Sequence, residues 1–396
     1  MSVTAPAGFE AGGIACGIKP EGEPDLAMVA TTDRRPVAAA GVFTTNRVQA
    51  APVQVSEDHL GDDRAAAVVL NSGNANAATG ERGRRDARRM CELTAESLGC
   101  APNDVLVCST GLIGVPLPME PVELGIPKLA ASLGPRSELA AEAMLTTDTR
   151  NKEFADVLEL GDGTVAHVGA MAKGAAMLSP AMATMLAVVT TDLAVPADVL
   201  QSLLTAAVED SFHLLSVDGC TSTNDTVLAL ASGAAGNTPI APGTTDYDRA
   251  TQAFRRTCKM LAAEMALDAE GMTKVVDIVV TGARTDGEAR MAARQVANSQ
   301  LVQCSLNGGD PYWGRVLSEL GVSGASFDPE RVDIAYGDVT VCRNGVAADH
   351  DAVGLASVMA SEHVVISCDL HEGDSTAEMT TTDLSHAYID ENRHTS

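Results

Sequence analysis

The chain has 396 residues, of which 27 are Lys or Arg and 53 are Asp or Glu, so its formal net charge is −26. This acidic balance disfavours binding to nucleic acid through its phosphates and docking onto an anionic membrane surface. The composition is 45% hydrophobic, 20% charged and only 3% aromatic, which predicts a globular protein with a core of Ala, Val, Leu and Met.

The N-terminal residues show no basic region followed by an apolar stretch, so we expect no signal peptide and a cytoplasmic protein. The nine cysteines are scattered without a C-x-x-C pair, which predicts reduced thiols. No local Cys/His cluster predicts a metal site. Residues 174–191 carry no charge but include Pro180, and we interpret them as a loop entering a buried strand rather than a membrane span.

Two residue patterns predict the secondary structure. Apolar β-branched runs predict strands, and apolar residues spaced by three and four predict helices. In chain order we expect a strand at 68–70, helices at 84–98 and 138–145, a strand at 188–191, helices at 196–211 and 247–267, a strand at 275–280 and a helix at 287–297. The alternation of residues 332–342 predicts a β-hairpin, and a strand at 363–367 followed by a run from about 377 predicts a second. This mixture indicates an α/β or α+β fold.

Five arginines, at positions 82, 84, 85, 88 and 89, form a basic cluster at the start of the first predicted helix, and we interpret them as a solvated helix face. Residues 71–80, just before that helix, are rich in Asn, Ser and Gly, which suits binding of an anion such as a carboxylate by backbone N–H groups. Residues 108–114 contain Thr110 and two glycines, which allow donors to converge as an oxyanion hole requires. An ordinary loop is the alternative for each segment.

The segment 171–192 has a Gly/Ala/Pro loop that runs into a β-branched strand, with Ala183-Thr184 at the junction. A small residue before Thr184 leaves its carbonyl open to attack by the Thr184 hydroxyl, followed by hydrolysis of the resulting ester. Cleavage would free an α-amine with a pKa of about 7.7–8.0, which suits a general base for the same hydroxyl. A buried strand preceded by a loop is the alternative.

Several further motifs occur in the chain: Gly-Val-Phe-Thr-Thr-Asn-Arg-Val at 41–48, Thr-Thr-Asp-Thr at 146–149, Asp-Gly-Cys-Thr-Ser-Thr-Asn-Asp-Thr at 218–226, Asp-Ala-Glu-Gly at 268–271 and Gly-Asp-Pro-Tyr-Trp-Gly-Arg at 309–315. Together with the three loops, they resemble the ornithine acetyltransferase/glutamate N-acetyltransferase (ArgJ) family of arginine biosynthesis. The resemblance runs from Gly8 to the C-terminus.

This resemblance implies a multilayer α/β sandwich similar to N-terminal nucleophile hydrolases, and a precursor that cuts itself between Ala183 and Thr184. Residues 1–183 would form an α chain and residues 184–396 a β chain, assembled as α2β2 or larger. The reaction implied is ping-pong transfer of an acetyl group from N2-acetyl-L-ornithine to L-glutamate through acetyl-Thr184. No cofactor or metal is implied, and acetyl-CoA would be a second donor in a bifunctional member.

The resemblance also implies roles for single residues. Thr110 and Gly111 would form the oxyanion hole around the nucleophile Thr184. The implied substrate-binding residues are Thr146, Lys173, Thr184, Glu270, Asn392 and Ser396. The tail is one residue shorter after the asparagine than the family pattern, so Thr395 is the alternative to Ser396.

Two other functions stay open at this stage. An aminopeptidase or amidase would use the same nucleophile but let water remove the acyl group. A binding or scaffold protein without covalent chemistry predicts a chain that is never cut.

Overall fold

The computed structural model describes residues 2–20, 22–177 and 185–393. Its strands are β1 (Phe9–Ile14), β2 (Leu26–Thr31), β3 (Val37–Phe43), β4 (Arg64–Ala65), β5 (Ala67–Asn71), β6 (Val105–Ser109), β7 (Lys152–Glu159), β8 (Val165–Lys173), β9 (Leu186–Thr191), β10 (Thr226–Ala231), β11 (Val275–Ala283), β12 (Asp333–Tyr336), β13 (Val339–Arg343), β14 (Val346–Ala347), β15 (His363–Asp369) and β16 (Ser375–Thr382).

The α-helices are α1 (Ala51–His59), α2 (Gly80–Leu98), α3 (Met119–Ala130), α4 (Ser137–Ala143), α5 (Ala197–Glu209), α6 (Thr245–Ala266), α7 (Asp286–Ala297), α8 (Gln300–Asn307), α9 (Trp313–Val322), α10 (Ala352–Met359) and α11 (His386–Glu391). Short 3-10 helices cover Leu60–Asp62, Pro102–Asp104, Phe212–Leu214 and Pro329–Arg331.

The described strands form three mixed sheets. Sheet I has the order β1-β2-β5-β6, sheet II has the order β4-β3-β10-β9-β8-β7, and sheet III has the order β14-β13-β12-β15-β11-β16. Each sheet contains one parallel pair, β5–β6, β9–β10 and β11–β15 respectively, and its other pairs are antiparallel. The β9–β10 pair is buried along its whole length, as expected for central strands covered on both faces.

Sheets I and II pack face to face and are covered by helices on their outer faces. Because side chains alternate along a strand, Leu70 of β5 packs toward sheet II whereas its neighbour Val69 packs with α2 and α3. In the same way, Val188 of β9 faces sheet I and Val189 packs against α5 and α6. The result is a four-layer sandwich of helices, sheet, sheet and helices, which confirms the predicted multilayer α/β fold.

Sheet III carries a separate core, to which α7 contributes mainly alanines and α8 and α9 contribute valines and leucines. Alanines at helical spacing in α7, such as Ala289, Ala293 and Ala297, lie against β11 and β16. Few aromatic residues are needed because alanine lets the helices approach the sheet closely.

The predicted elements are confirmed with one exception. The strand runs, the five helices and the hairpin formed by β12 and β13 all lie where the sequence patterns place them. The arginines of α2 lie on its exposed or half-buried positions, which confirms the solvated face.

The second predicted hairpin is wrong, because β15 and β16 do not pair with each other. Strand β11 lies between them, parallel to β15 and antiparallel to β16. The connecting loop crosses the end of β11, where Leu370 N–H donates to Thr281 O (3.0 Å) and Glu372 N–H donates to Gly282 O (2.7 Å). The two strands are neighbours in sequence, but each of them pairs with β11 instead of with the other.

Within the described residues, no helix is both long enough and apolar enough to cross a membrane.

Candidate active site

The first part of the candidate site lies at the edge of sheet I where β5 and β6 end together. Their last residues, Asn71 and Ser109, are paired in register. The Ser109 hydroxyl donates to Asn71 Oδ1 (2.6 Å), and the N–H of Thr110 donates to Asn71 O (3.0 Å). The two loops that the sequence singled out therefore begin side by side.

Gly111 occupies a position that only glycine fits. Its φ of 130° lies in the region that disfavours other residues, and a Cβ atom there would lie 2.3 Å from the carbonyl carbon of Gly73 and 2.5 Å from the nitrogen of Asn74. The close approach brings the backbone of residues 110–112 against the loop that follows β5.

The hydroxyl of Thr110 is buried and has no hydrogen-bond partner among the described residues, and the whole residue is only 1% exposed. Leaving a buried hydroxyl unpaired costs about 1–3 kcal/mol. Such a donor is available for an oxygen of a bound ligand, which is the property that an oxyanion hole requires.

The second part of the site surrounds Lys173, the last residue of β8. Its side chain is 2% exposed, and its Nζ lies 2.6 Å from Thr146 Oγ1 and 3.2 Å from Asp148 Oδ2. Thr146 and Lys173, both predicted to bind substrate, are thus brought into contact across 27 positions of sequence.

Lys173 is one end of a buried chain of alternating charges. Lys152 Nζ lies 2.7 Å from Asp148 and 2.5 Å from Asp268, and Asp148 also accepts the N–H of Gly174 (2.7 Å). Burial alone would raise the pKa of Asp148, but the ammonium groups of Lys173 and Lys152 hold it well below its usual value. The two carboxylates balance the two ammonium groups, so the chain is neutral as a whole.

The third part of the site is Glu270, which is 7% exposed. Its N–H donates to Ala175 O (2.9 Å), just beyond Lys173, and its Oε2 accepts a hydrogen bond from Asn392 Nδ2 (2.7 Å). Asn392 also donates to Tyr388 O (2.9 Å), so the C-terminal end of α11 is held against Glu270. The predicted binding residues Glu270 and Asn392 therefore lie together.

These parts converge on the beginning of β9. Lys173 is paired with Leu186 in the β8–β9 ladder. On the other side, Asp225 Oδ1 accepts the N–H of Met185 (3.0 Å), and the preceding Asn224 donates to Ser109 O (2.8 Å). Ala183, Thr184, Thr395 and Ser396 lie outside the described residues, so the predicted nucleophile, cleavage point and tail ligand remain predictions.

The comparisons with known proteins identify the family. The ArgJ family model matches residues 10–395. The arginine biosynthesis bifunctional protein ArgJ of Symbiobacterium thermophilum is 49% identical over 390 residues, which cover 98% of this chain and 96% of the relative. The protein of the same name from Streptomyces coelicolor is 45% identical over 394 residues, 99% of each chain. The chain belongs to the ArgJ family.

A solved structure agrees with this assignment. The crystal structure of the arginine biosynthesis bifunctional protein from Bacillus halodurans is 35% identical with a TM-score of 0.50, and it covers 52% of this chain and 97% of its own. The predicted assignment to an acyltransferase family of arginine biosynthesis is confirmed.

The sequence did not predict four charged or polar residues that connect the parts of the site in this ArgJ-family chain. Asp148 and Lys152 connect Lys173 to Asp268, while Asn224 and Asp225 connect the Thr110 loop to β9. Both pairs lie inside or next to motifs that carried the resemblance, at 146–149 and 218–226, and that position is the signal that could have found them.

Asp225 is fully buried, and its Oδ2 has no partner among the described residues. Burial raises the pKa of this carboxyl well above its usual value, although the Met185 N–H and the Lys173 ammonium oppose that shift.

Among the described residues, no cluster of three or more His, Cys, Asp or Glu side chains has a geometry that could hold a metal ion. A cavity of about 510 Å³ beside Asp277 and His363 lies between α6 and sheet III and is lined by none of the site residues above.

Proposed function

We propose that this ArgJ-family protein is a glutamate N-acetyltransferase that moves an acetyl group from N2-acetyl-L-ornithine to L-glutamate. The observation that carries the proposal is the buried hydroxyl of Thr110, which has no described partner and lies beside Gly111 at the same edge of the sandwich as the start of β9. A donor held there before substrate binds can stabilise the negative charge that develops in acyl transfer.

In the proposed reaction, Thr184 is the nucleophile. Its Oγ forms a bond to the acetyl carbon, the amide C–N bond breaks, and the proton of the hydroxyl passes through the Thr184 α-amine to the departing ornithine nitrogen. The neutral α-amine of glutamate then forms a bond to the acetyl carbon, the ester bond between that carbon and Thr184 Oγ breaks, and a proton of the amine passes to Thr184 Oγ. Thr110 and Gly111 would stabilise the oxyanion in both halves of the reaction.

We propose that the substrate lies between the Lys173 and Glu270 parts of the site. The Lys173 ammonium, which contacts Thr146, suits the α-carboxylate of the substrate. Glu270, held by Asn392, suits the side-chain ammonium of ornithine, with Ser396 or Thr395 as a further ligand from the tail.

The same proposal includes self-cleavage between Ala183 and Thr184 into chains of residues 1–183 and 184–396, assembled as α2β2. In its support, the Bacillus halodurans chain that matches over 97% of its length covers only 52% of this protein, close to the share that residues 184–396 would take. The protein would act in the cytoplasm without a cofactor. Because its relatives are named bifunctional, we propose acetyl-CoA as a second acetyl donor.

Denaturing electrophoresis tests the nucleophile. We expect two bands from the wild type and one full-length band from the Thr184→Ala variant. A wild-type chain that stays uncut and still transfers acetyl groups would contradict the proposal.

One assay separates the transferase from an amidase. If the protein is a transferase, release of ornithine from acetylornithine rises with added glutamate and yields N-acetylglutamate in equal amount. If the rate of ornithine release does not depend on glutamate, the protein is instead a hydrolase.

A further inference from the structure

The side chain of Asn224 ties together three segments of the chain at the candidate site. It is 4% exposed, and its Nδ2 donates to Ala75 O (2.6 Å) and to Ser109 O (2.8 Å). Its Oδ1 accepts a hydrogen bond from the hydroxyl of Thr223 (2.7 Å). All the hydrogen-bonding groups of this amide except one acceptor lone pair are therefore used.

Only an asparagine satisfies this arrangement. The carbonyl oxygens of Ala75 and Ser109 need two N–H donors on one side-chain atom. The Thr223 hydroxyl needs an acceptor on the second side-chain atom. An aspartate would point a carboxylate oxygen at two carbonyl oxygens, and an alanine would leave both carbonyls without a donor. The carbonyls also fix the orientation of the amide, because the flipped form would place oxygen against oxygen.

The two carbonyls that Asn224 holds belong to the oxyanion-hole segments. Ser109 directly precedes Thr110, and Ala75 directly follows Asn74, against which Gly111 packs. The amide therefore fixes both sides of the close approach that surrounds the Thr110 hydroxyl.

The backbone after Asn224 is fixed just as firmly to β9. Asp225 Oδ1 accepts the N–H of Met185 (3.0 Å), and the N–H of Thr226 donates to Met185 O (3.1 Å). From Thr226 onward, β10 runs parallel to β9 in register with Leu186. Asn224 thus stands between the first described residue of the β9 segment and the Thr110 loop.

We propose that Asn224 is a positioning residue for acetyl transfer, which holds the Thr110–Gly111 oxyanion hole in register with the start of β9. The inference rests on the proposed function, since it assigns the orientation of the oxyanion hole to a residue whose described side-chain contacts are with Ala75, Ser109 and Thr223.

The test is the Asn224→Ala variant, assayed as acetyl transfer from acetylornithine to glutamate and expressed per cleaved chain. Because a misplacement of about 1 Å can cost about 100-fold in rate, we expect kcat to fall by roughly 10- to 100-fold. KM for both substrates should change by less than about threefold, since Lys173 and Glu270 are held by other contacts. Both half-reactions should slow by a similar factor, because the oxyanions of both tetrahedral intermediates would occupy the same hole.

Asn237 provides a matched control. It is 6% exposed, its Nδ2 donates to Ala194 O (3.2 Å) and Thr238 O (2.7 Å), and its Oδ1 accepts the N–H of Ala194 (2.8 Å). It makes the same kind of contacts beyond the far end of β9. The Asn237→Ala variant should lose a similar amount of thermal stability and keep kcat within about twofold.

If Asn224→Ala does not cut itself, the milder Thr223→Val variant decides, because it removes only the hydrogen bond to Asn224 Oδ1. We then expect a fall in kcat of about two- to fivefold with KM unchanged. The positioning role is wrong if the variant assayed keeps the wild-type kcat, or if Asn237→Ala loses as much kcat as that variant does. Either result leaves the proposed function unaffected. A wild type that transfers no acetyl group would overturn the proposed function itself.

Discussion

Replacing Thr110 by valine separates a catalytic hydroxyl from a structural one. Valine keeps the β-branched shape of threonine and exchanges only the hydroxyl for a methyl group. Because the Thr110 hydroxyl has no described partner, its removal deprives no described group of a hydrogen bond. It also relieves an unpaired buried polar atom, whose cost is about 1–3 kcal/mol. We therefore expect the free energy of unfolding to stay the same or to rise by about 1 kcal/mol.

The effect on the reaction should be large and opposite in sign. Removing one donor from an oxyanion hole typically costs about 2.7–4 kcal/mol, which corresponds to a fall in kcat of about 100- to 1,000-fold. KM should change little, because the interaction strengthens only as negative charge develops on the acetyl oxygen. The Thr110→Val variant should thus be as stable as the wild type but nearly inactive.

The assay combines thermal unfolding with acetyl transfer from acetylornithine to glutamate. Thr190→Val is the matched control, because the buried Thr190 hydroxyl donates to Val3 O (2.8 Å). That variant should lose about 1 kcal/mol of stability and keep its rate. If Thr110→Val is destabilised like the control and turns over at the wild-type rate, the hydroxyl of Thr110 is structural and the oxyanion assignment is wrong.

Three further predictions concern stability. Lys152→Met should lose about 3–5 kcal/mol in urea unfolding, because it leaves two buried carboxylates one ammonium short, whereas the exposed Lys128→Met should be neutral. Gly111→Ala should lower both stability and kcat, because the new Cβ atom would clash with the backbone of Gly73 and Asn74. Gly114→Ala should keep kcat, because Gly114 also has a positive φ but has open space around its Cβ position. Because burial raises the pKa of Asp225, the unfolded chain releases that proton at a lower pH than the folded chain does. The wild type should therefore lose stability relative to Asp225→Asn as the pH rises above about 4, and parallel stability curves would contradict this.

The sequence predicts well whatever depends on local pattern. The β-branched run around Val188 gives a strand, and the alternation around Gly337-Asp338 gives a hairpin, because both are set by neighbouring residues. The β15–β16 hairpin is wrong because the choice of a strand's partner depends on β11, about ninety residues earlier.

In the candidate site, too, some residues could be predicted from the sequence and others could not. The resemblance supplied Thr110, Lys173 and Glu270 as residues of one site, and in the structure the N–H of Glu270 donates to the carbonyl of Ala175, two residues after Lys173. It could not supply partners such as Lys152 for Asp268, 116 positions apart, because no periodicity links them. Buried polar partners of that kind are specified by the packed fold alone.

Mass spectrometry of the purified protein after brief exposure to acetylornithine shows directly whether Thr184 becomes an N-terminal residue and carries the acetyl group. We predict two chains, the second beginning at Thr184 and carrying one added acetyl group on that residue. Addition of glutamate should remove the acetyl group and yield N-acetylglutamate. An intact chain that turns over substrate, or an acetyl group on any other residue, would contradict the proposed mechanism.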